Sequence, residues 1–145
     1  MSIEPHAVLI HLRAVGVLMA ALVVVNVVVP FRFHWGEEMS RLSLLNRQIF
    51  QAHNFFIVVT LALFSVLLLT CSDALLEPTR LSRAILIGLT VFWALRMLMQ
   101  WCFYSPRLWR GNTFNTVIHC VFSVLWIYVT GTCATALWSS LSRTP

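Results

Sequence analysis

Four long apolar runs constrain the fold of this chain more than any other feature. They lie at about residues 8–29, 46–71, 81–104 and 113–138, and each reaches the roughly 20 residues that a helix needs to cross a bilayer. Only 10% of the chain is charged and 59% is hydrophobic, whereas about a quarter of an ordinary soluble domain is charged. The sequence therefore predicts an all-α membrane protein, a four-transmembrane-helix bundle that forms a single integral membrane domain over residues 1–145.

The first run is rich in valine and is followed by Pro30, where we expect the helix to end. A cleaved signal peptide is the alternative, but its apolar core normally has about 7 to 15 residues and follows positive charge. This run is longer, and Glu4 precedes it. The sequence therefore favours a spanning helix over a signal peptide.

The connection between the first two runs is polar, but apolar residues recur in it at steps of three and four. Such spacing is typical of an amphipathic helix that lies at the membrane surface. We therefore predict a short interfacial helix between helices 1 and 2. Its apolar positions are Trp35, Met39, Leu42 and Leu45.

Local signals separate the later helices. Pro78 and Thr79 indicate a break followed by a helix cap, because threonine hydroxyls accept hydrogen bonds from the first turn of a helix. Pro106 disfavours helical geometry in the residue before it. Asn112 or Thr113 is predicted to cap the fourth run.

Four crossings place both termini on one side of the membrane, here called the X side, and the loop near Gly111 on the other, the Y side. Five arginines fall on the Y side and four on the X side. Because cytoplasmic loops are enriched in positive charge, this count slightly favours a cytoplasmic Y side. We expect a multi-pass protein of an inner or plasma membrane. The Y-side arginines are Arg32, Arg41, Arg47, Arg107 and Arg110, and the X-side arginines are Arg13, Arg80, Arg83 and Arg143.

Polar side chains on the last three spanning helices fall at similar depth near the Y side. Counting about 1.5 Å per residue, His53, Arg96 and His119 each lie about 9 to 12 Å from the Y end of their helix. On each helix the polar residues recur at steps of three and four, so they share one face. We predict a ligand-binding polar layer that consists of His53, Trp93, Arg96, Gln100 and His119, with Asn115 and Glu38 as less central members.

Arg96 is the most informative residue of this layer, because a charge deep in hydrocarbon costs about 2.5 to 3.5 kcal/mol. A purely structural role is the alternative to ligand binding. The side chain of Arg96 can extend to the membrane edge or pair with Glu37 or Glu38. The two histidines of the layer can serve only as interhelical hydrogen bonds.

The first functional hypothesis is a hydrophobic ligand with a polar head, namely a quinone or a haem-type redox cofactor. His53 and His119 are possible axial ligands of haem b, with Arg96 placed for a propionate. A quinone headgroup requires only hydrogen-bond donors at the membrane edge, such as His53, Arg96, Gln100 and Trp93. Membrane lipid and a hydrophobic small molecule are the expected partners.

Two other function classes stay open. The layer can belong to an intramembrane enzyme, such as an acid/base isomerase or cyclase of a lipid-soluble substrate, in which His53 or His119 transfers protons. The chain can also be a non-catalytic accessory subunit of a larger membrane complex, or a homo-oligomer. A nucleic-acid partner is not expected, because the arginines are dispersed between apolar runs rather than clustered on one face.

Overall fold

The structure, a computed structural model, describes residues 5–32, 35–103, 105 and 112–143. All regular structure in this part of the chain is helical, which confirms the predicted all-α class. The helices are α1 (Pro5–Arg32), α2 (Trp35–Ser40), α3 (Leu44–Thr70), α4 (Ser72–Leu76), α5 (Arg80–Cys102) and α6 (Thr113–Ser142).

The four predicted runs correspond to α1, α3, α5 and α6, and each is long and apolar enough to cross a membrane. Between 17% and 33% of the residues in their most apolar windows are buried. Most of the apolar side chains on these helices therefore remain on the surface. Such large exposed apolar surfaces are rare on soluble proteins and are typical of contact with lipid or with other membrane helices.

The end of α1 differs from the sequence-based expectation, because the helix continues through Pro30 to Arg32. A proline ring fixes φ at a value that a helix tolerates, and its main cost is one lost backbone hydrogen bond. At Pro30 the lost bond is the one to the carbonyl oxygen of Asn26, and only two helical residues follow the proline. The polar Asn26 also turns its side chain onto its own helix, where Nδ2 donates to the carbonyl oxygen of Leu22 at 2.8 Å.

The short helix α2 lies within the segment that was predicted to be an interfacial helix, but it ends at Ser40. Ser43 then caps α3, since its hydroxyl accepts a hydrogen bond from the backbone N–H of Asn46. Leu45 therefore belongs to α3 rather than to the amphipathic segment. The location of α2 at a membrane surface stays a prediction.

The predicted caps of the last two long helices are confirmed. Thr79 caps α5 and forms a reciprocal capping box with Ser82, in which each side chain accepts from the other's backbone N–H. The side chain of Asn112 caps α6 by accepting from the backbone N–H of Asn115 at 3.1 Å. Both helices therefore begin where local side-chain chemistry replaces the missing backbone partners.

The described residues form two compact units. The terminal unit comprises the residues up to Leu12 and those from Asp73 onward, and the central unit comprises Arg13–Ser72. In the central unit α1 and α3 approach closely, because Ser65 donates from Oγ to the carbonyl oxygen of Gly16 at 2.9 Å. Small residues allow such close backbone approach between membrane helices.

In the terminal unit α5 and α6 form an antiparallel hairpin. Gln100 contacts His119 near the connection between the two helices, and Trp93 stacks on Trp126 further along. At the opposite end, Arg83 bonds to the backbone of Ser140. The paired residue numbers thus rise on one helix as they fall on the other.

Candidate functional site

The candidate site lies in the half of the α5/α6 hairpin that is nearest the segment between the two helices. A pair of stacked tryptophans forms its base. The rings of Trp93 and Trp126 stack with their centroids 5.2 Å apart and an angle of 13° between their planes. The two residues are only 1% and 4% exposed. Offset stacking of buried rings adds about 0.5 to 1.5 kcal/mol beyond the burial of area. The pair therefore provides a rigid base for the polar side chains next to it.

Arg96 lies on this base, with its guanidinium carbon 4.7 Å from the centroid of the Trp126 ring. A cation over an indole face at this distance is attracted by the negative face of the ring. Its Nη1 also donates to Oε1 of Gln100, one turn further along α5, at 3.3 Å. Two independent contacts therefore hold the guanidinium in one position.

Gln100 joins the arginine to a histidine on the neighbouring helix. It is 6% exposed, and its Nε2 lies 2.9 Å from Nδ1 of His119. Since Oε1 accepts from Arg96, Nε2 faces the histidine as the amide group's only donor. Nδ1 of His119 therefore accepts, which places the proton of the neutral ring on Nε2.

The positive charge of Arg96 has no carboxylate partner within the described part of the terminal unit. The acidic residues of that part, Asp73 and Glu77, lie before the start of α5, which is 16 residues, or about 24 Å of helix, from Arg96. The predicted alternative, pairing with Glu37 or Glu38, stays a prediction. The side chain of Glu38 lies outside the described residues.

Two further polar atoms near the site are buried and have no hydrogen-bond partner among the described residues, Oγ of Ser123 and Nε1 of Trp126. They follow His119 by four and seven residues and so share its face of α6. A buried polar atom without a partner costs about 1 to 3 kcal/mol. Such atoms next to a held arginine and histidine indicate a place where a further polar group belongs.

Comparisons of the chain with known protein families, with curated proteins and with solved structures found no match. The function must therefore be inferred from the chemistry of the side chains. No group of three or more His, Cys, Asp or Glu side chains in the described residues is arranged to hold a metal ion. The site can offer hydrogen-bond donors and a positive charge to a ligand.

Among the predicted layer residues, the structure brings together Trp93, Arg96, Gln100 and His119. Trp93 is buried and stacks on Trp126, whose ring contacts the arginine. Asn115 lies one turn before His119 on α6 and is exposed. Whether these residues bind a ligand stays a prediction.

His53 belongs to the central unit and is exposed. Its Nδ1 donates to the carbonyl oxygen of Ile49, one turn earlier on α3, at 2.8 Å. The ring is thus held by its own helix, and its Nε2 carries the lone pair. Its membership of the predicted layer and its role as a haem ligand stay predictions.

The sequence-based site omitted Trp126, which contacts both Trp93 and Arg96. A signal for it exists, since Trp126 follows His119 by seven residues and two helical turns return to the same face. Phe122 extends the aromatic surface, with its ring stacked on Trp126 at a centroid distance of 6.0 Å. Aromatic residues in apolar helices are common, so the sequence alone did not distinguish these two from ordinary packing.

Proposed function

We propose that this chain is a multi-pass integral membrane protein that binds a hydrophobic ligand with a polar head, and that the head is a quinone ring. The binding groups are Arg96 and His119, held in place by Gln100 and by the tryptophan pair. Membrane insertion is supported by the length, the apolar composition and the exposed apolar surface of the four long helices.

The orientation of the Gln100 amide carries the proposal. Its oxygen accepts from Arg96 and its nitrogen donates to His119. Both neighbours are thereby presented as hydrogen-bond donors, Arg96 through the guanidinium and His119 through Nε2–H. A carbonyl oxygen of a quinone accepts such bonds and becomes more negative on reduction, so a cationic donor stabilises the reduced form.

The charge of Arg96 supports the same conclusion. A guanidinium has five N–H donors, and one bond, to Gln100, is formed with the described residues. A charge in a spanning helix costs about 2.5 to 3.5 kcal/mol, which a ligand oxygen would partly offset. The unpartnered polar atoms of Ser123 and Trp126 belong to residues on the same face of α6 as His119.

The tautomer of His119 favours the quinone over the haem. A histidine that ligates iron through Nε2 must carry its proton on Nδ1, whereas Nδ1 of His119 accepts from the glutamine amide. A haem with two axial histidines also requires His53. The quinone requires only groups of the terminal unit that already contact one another.

The proposal is tested with purified full-length protein in lipid nanodiscs and decylubiquinone as the probe. Quinones quench tryptophan fluorescence, so we expect saturable quenching through the Trp93 and Trp126 pair. Arg96→Gln and His119→Gln should each weaken binding about tenfold or more, as expected when a charged or well-oriented donor is lost. Thermal stability should change little, because interhelical hydrogen bonds in membranes average about 0.6 kcal/mol.

Arg83→Gln is the matched control, since it removes another half-buried arginine of α5 that lies 13 residues away. It should lower stability and leave quinone binding unchanged. Quenching that rises linearly and equally in all variants would mean simple partitioning into lipid and would refute the proposal. A haem Soret band in the purified protein, lost in both His119→Gln and His53→Gln, would replace the quinone with haem.

A further inference from the structure

A pocket lies in the terminal unit, beside residues 127–135 of α6 and away from the Arg96 site. Its volume is about 380 Å³, within the range of about 300 to 1,000 Å³ that is usual for small-molecule sites. It lies between the first turns of α1 and the middle of α6. The lining residues are Ala7, Val8, His11, Ile127, Tyr128, Gly131, Thr132 and Thr135.

A histidine and a tyrosine form the polar part of this pocket. Nδ1 of His11 lies 2.8 Å from the hydroxyl oxygen of Tyr128, and the two rings meet edge to face with centroids 5.8 Å apart. Within the described residues, Nε2 of His11 has no hydrogen-bond partner. Tyr128 follows His119 by nine residues, or about 14 Å along α6, so this pair is separate from the candidate quinone site.

The hydrogen count of this pair determines what it offers to a ligand. A neutral imidazole has one N–H and a phenol has one O–H. The bond between His11 and Tyr128 uses one of these hydrogens, whichever ring donates. One polar hydrogen is therefore always left over, on Nε2 of His11 or on the hydroxyl of Tyr128. In apolar surroundings a donor without an acceptor is costly.

Most of the remaining lining is apolar, and the other polar residues are Thr132 and Thr135. Thr135 donates from Oγ1 to the carbonyl oxygen of Gly131 in its own helix at 2.7 Å, so its hydroxyl hydrogen is not offered to the pocket. A side chain at Gly131 would meet no atom within 4 Å, which shows that space is open there. Both helices that line the pocket are apolar enough to span a membrane, so a ligand would arrive from the lipid phase.

We propose that this pocket binds a second membrane-soluble molecule, one with a hydrocarbon chain and a single acceptor oxygen that bonds to the His11 and Tyr128 pair. A ketone or ester carbonyl and a carboxylate share this chemistry. The aliphatic chain packs against Val8 and Ile127 and occupies the space beside Gly131. This pocket is independent of the quinone proposal, since it shares no residue with that site.

The test is photo-crosslinking of the full-length protein in nanodiscs with 2-heptadecanone that carries a diazirine on its chain. We expect labelling of the peptides that contain residues 7–11 and 127–135. Unlabelled 2-heptadecanone or palmitate should compete about tenfold better than hexadecane, which lacks the acceptor oxygen. Stronger competition by palmitate identifies a carboxylate head, and stronger competition by the ketone identifies a neutral carbonyl.

Two variants and a matched control make the test specific. Gly131→Leu fills the pocket and should reduce labelling about tenfold. The double variant His11→Phe/Tyr128→Phe keeps two aromatic rings but removes both polar hydrogens of the pair, and it should act similarly. Gly88→Leu is the control, because Gly88 is also an exposed helix glycine with no atom within 4 Å of an added Cβ, and it should label normally. Equal competition by hexadecane, or unchanged labelling of Gly131→Leu, would overturn the proposal.

Discussion

Arg83 and Ser140 fasten the open end of the α5/α6 hairpin, because Nη2 of Arg83 donates to the carbonyl oxygen of Ser140 at 3.0 Å. The same nitrogen donates to the carbonyl oxygen of Arg143, also at 3.0 Å. The last carbonyls of a helix lack partners within the helix and carry partial negative charge. A cationic side chain from α5 thus completes the C-terminus of α6.

Arg83→Gln is expected to lower the free energy of unfolding by about 1 to 2 kcal/mol, since a charge-assisted bond to helix carbonyls is lost. The measurement is thermal or denaturant unfolding in detergent. Arg80→Gln, an exposed position three residues earlier, should stay within about 0.5 kcal/mol of the parent protein. Equal stability of both variants would show that the two carbonyls do not need the arginine.

Gly16→Ala is expected to destabilise the central unit by about 1 to 3 kcal/mol through overpacking. A Cβ at Gly16 would lie 2.9 Å from Cγ of Leu69 and 3.2 Å from Cβ of Leu68, so part of α3 must shift. Gly88→Ala has open space and should leave stability unchanged or slightly raised. Similar unfolding midpoints for the two alanine variants would contradict close packing of α1 against α3.

Gln100 and His119 should show measurable coupling in a double-mutant cycle with Gln100→Leu and His119→Leu. Their hydrogen bond joins two helices, and such bonds in membranes contribute about 0.6 kcal/mol on average and about 1.7 kcal/mol at most. We expect a coupling energy in that range from unfolding measurements in detergent. Strictly additive losses would mean that the amide and the imidazole do not act together.

The predicted topology can be checked by labelling single cysteines in a variant whose four natural cysteines are replaced by alanine. A cysteine at Ser2 and one at Asn112 should react with a membrane-impermeant reagent from opposite faces of sealed vesicles, because four crossings separate the termini from the loop before α6. Reaction of both from the same face would mean that one long helix, most simply the valine-rich α1, does not cross.

The sequence predicted the helix starts at Thr79 and Asn112 because capping depends on side chains within three residues of the helix end. It also predicted one layer for His53, Arg96, Gln100 and His119, since the rise per residue is nearly constant. The contacts of Gln100 with Arg96 and His119 agree with this layer, and the place of His53 in it stays a prediction. It placed the end of α1 two residues too early at Pro30, because the packing that outweighs the lost hydrogen bond of a proline is not visible in the sequence.

Contacts that depend on the rotation of a helix about its axis were harder to predict from the sequence. Trp126 beneath Arg96 and Tyr128 beside His11 lie two residues apart on α6 and so face different directions. Spacing alone does not say which neighbouring helix each residue meets. The pairing of His11 with Tyr128 also joins the two ends of the chain, 117 residues apart, and no local pattern marks such a contact.

Three contacts distributed along the α5/α6 hairpin have a mechanical consequence. The bonds of Gln100 with His119 and of Arg83 with Ser140 are 17 residues, or about 26 Å, apart on α5, and the stacked tryptophans lie between them. Sliding one helix past the other by a turn would break all three at once. The two helices should therefore move together as one rigid body. A displacement of the end near His119 should tilt the end near Ser140, because the helices cannot slide past each other.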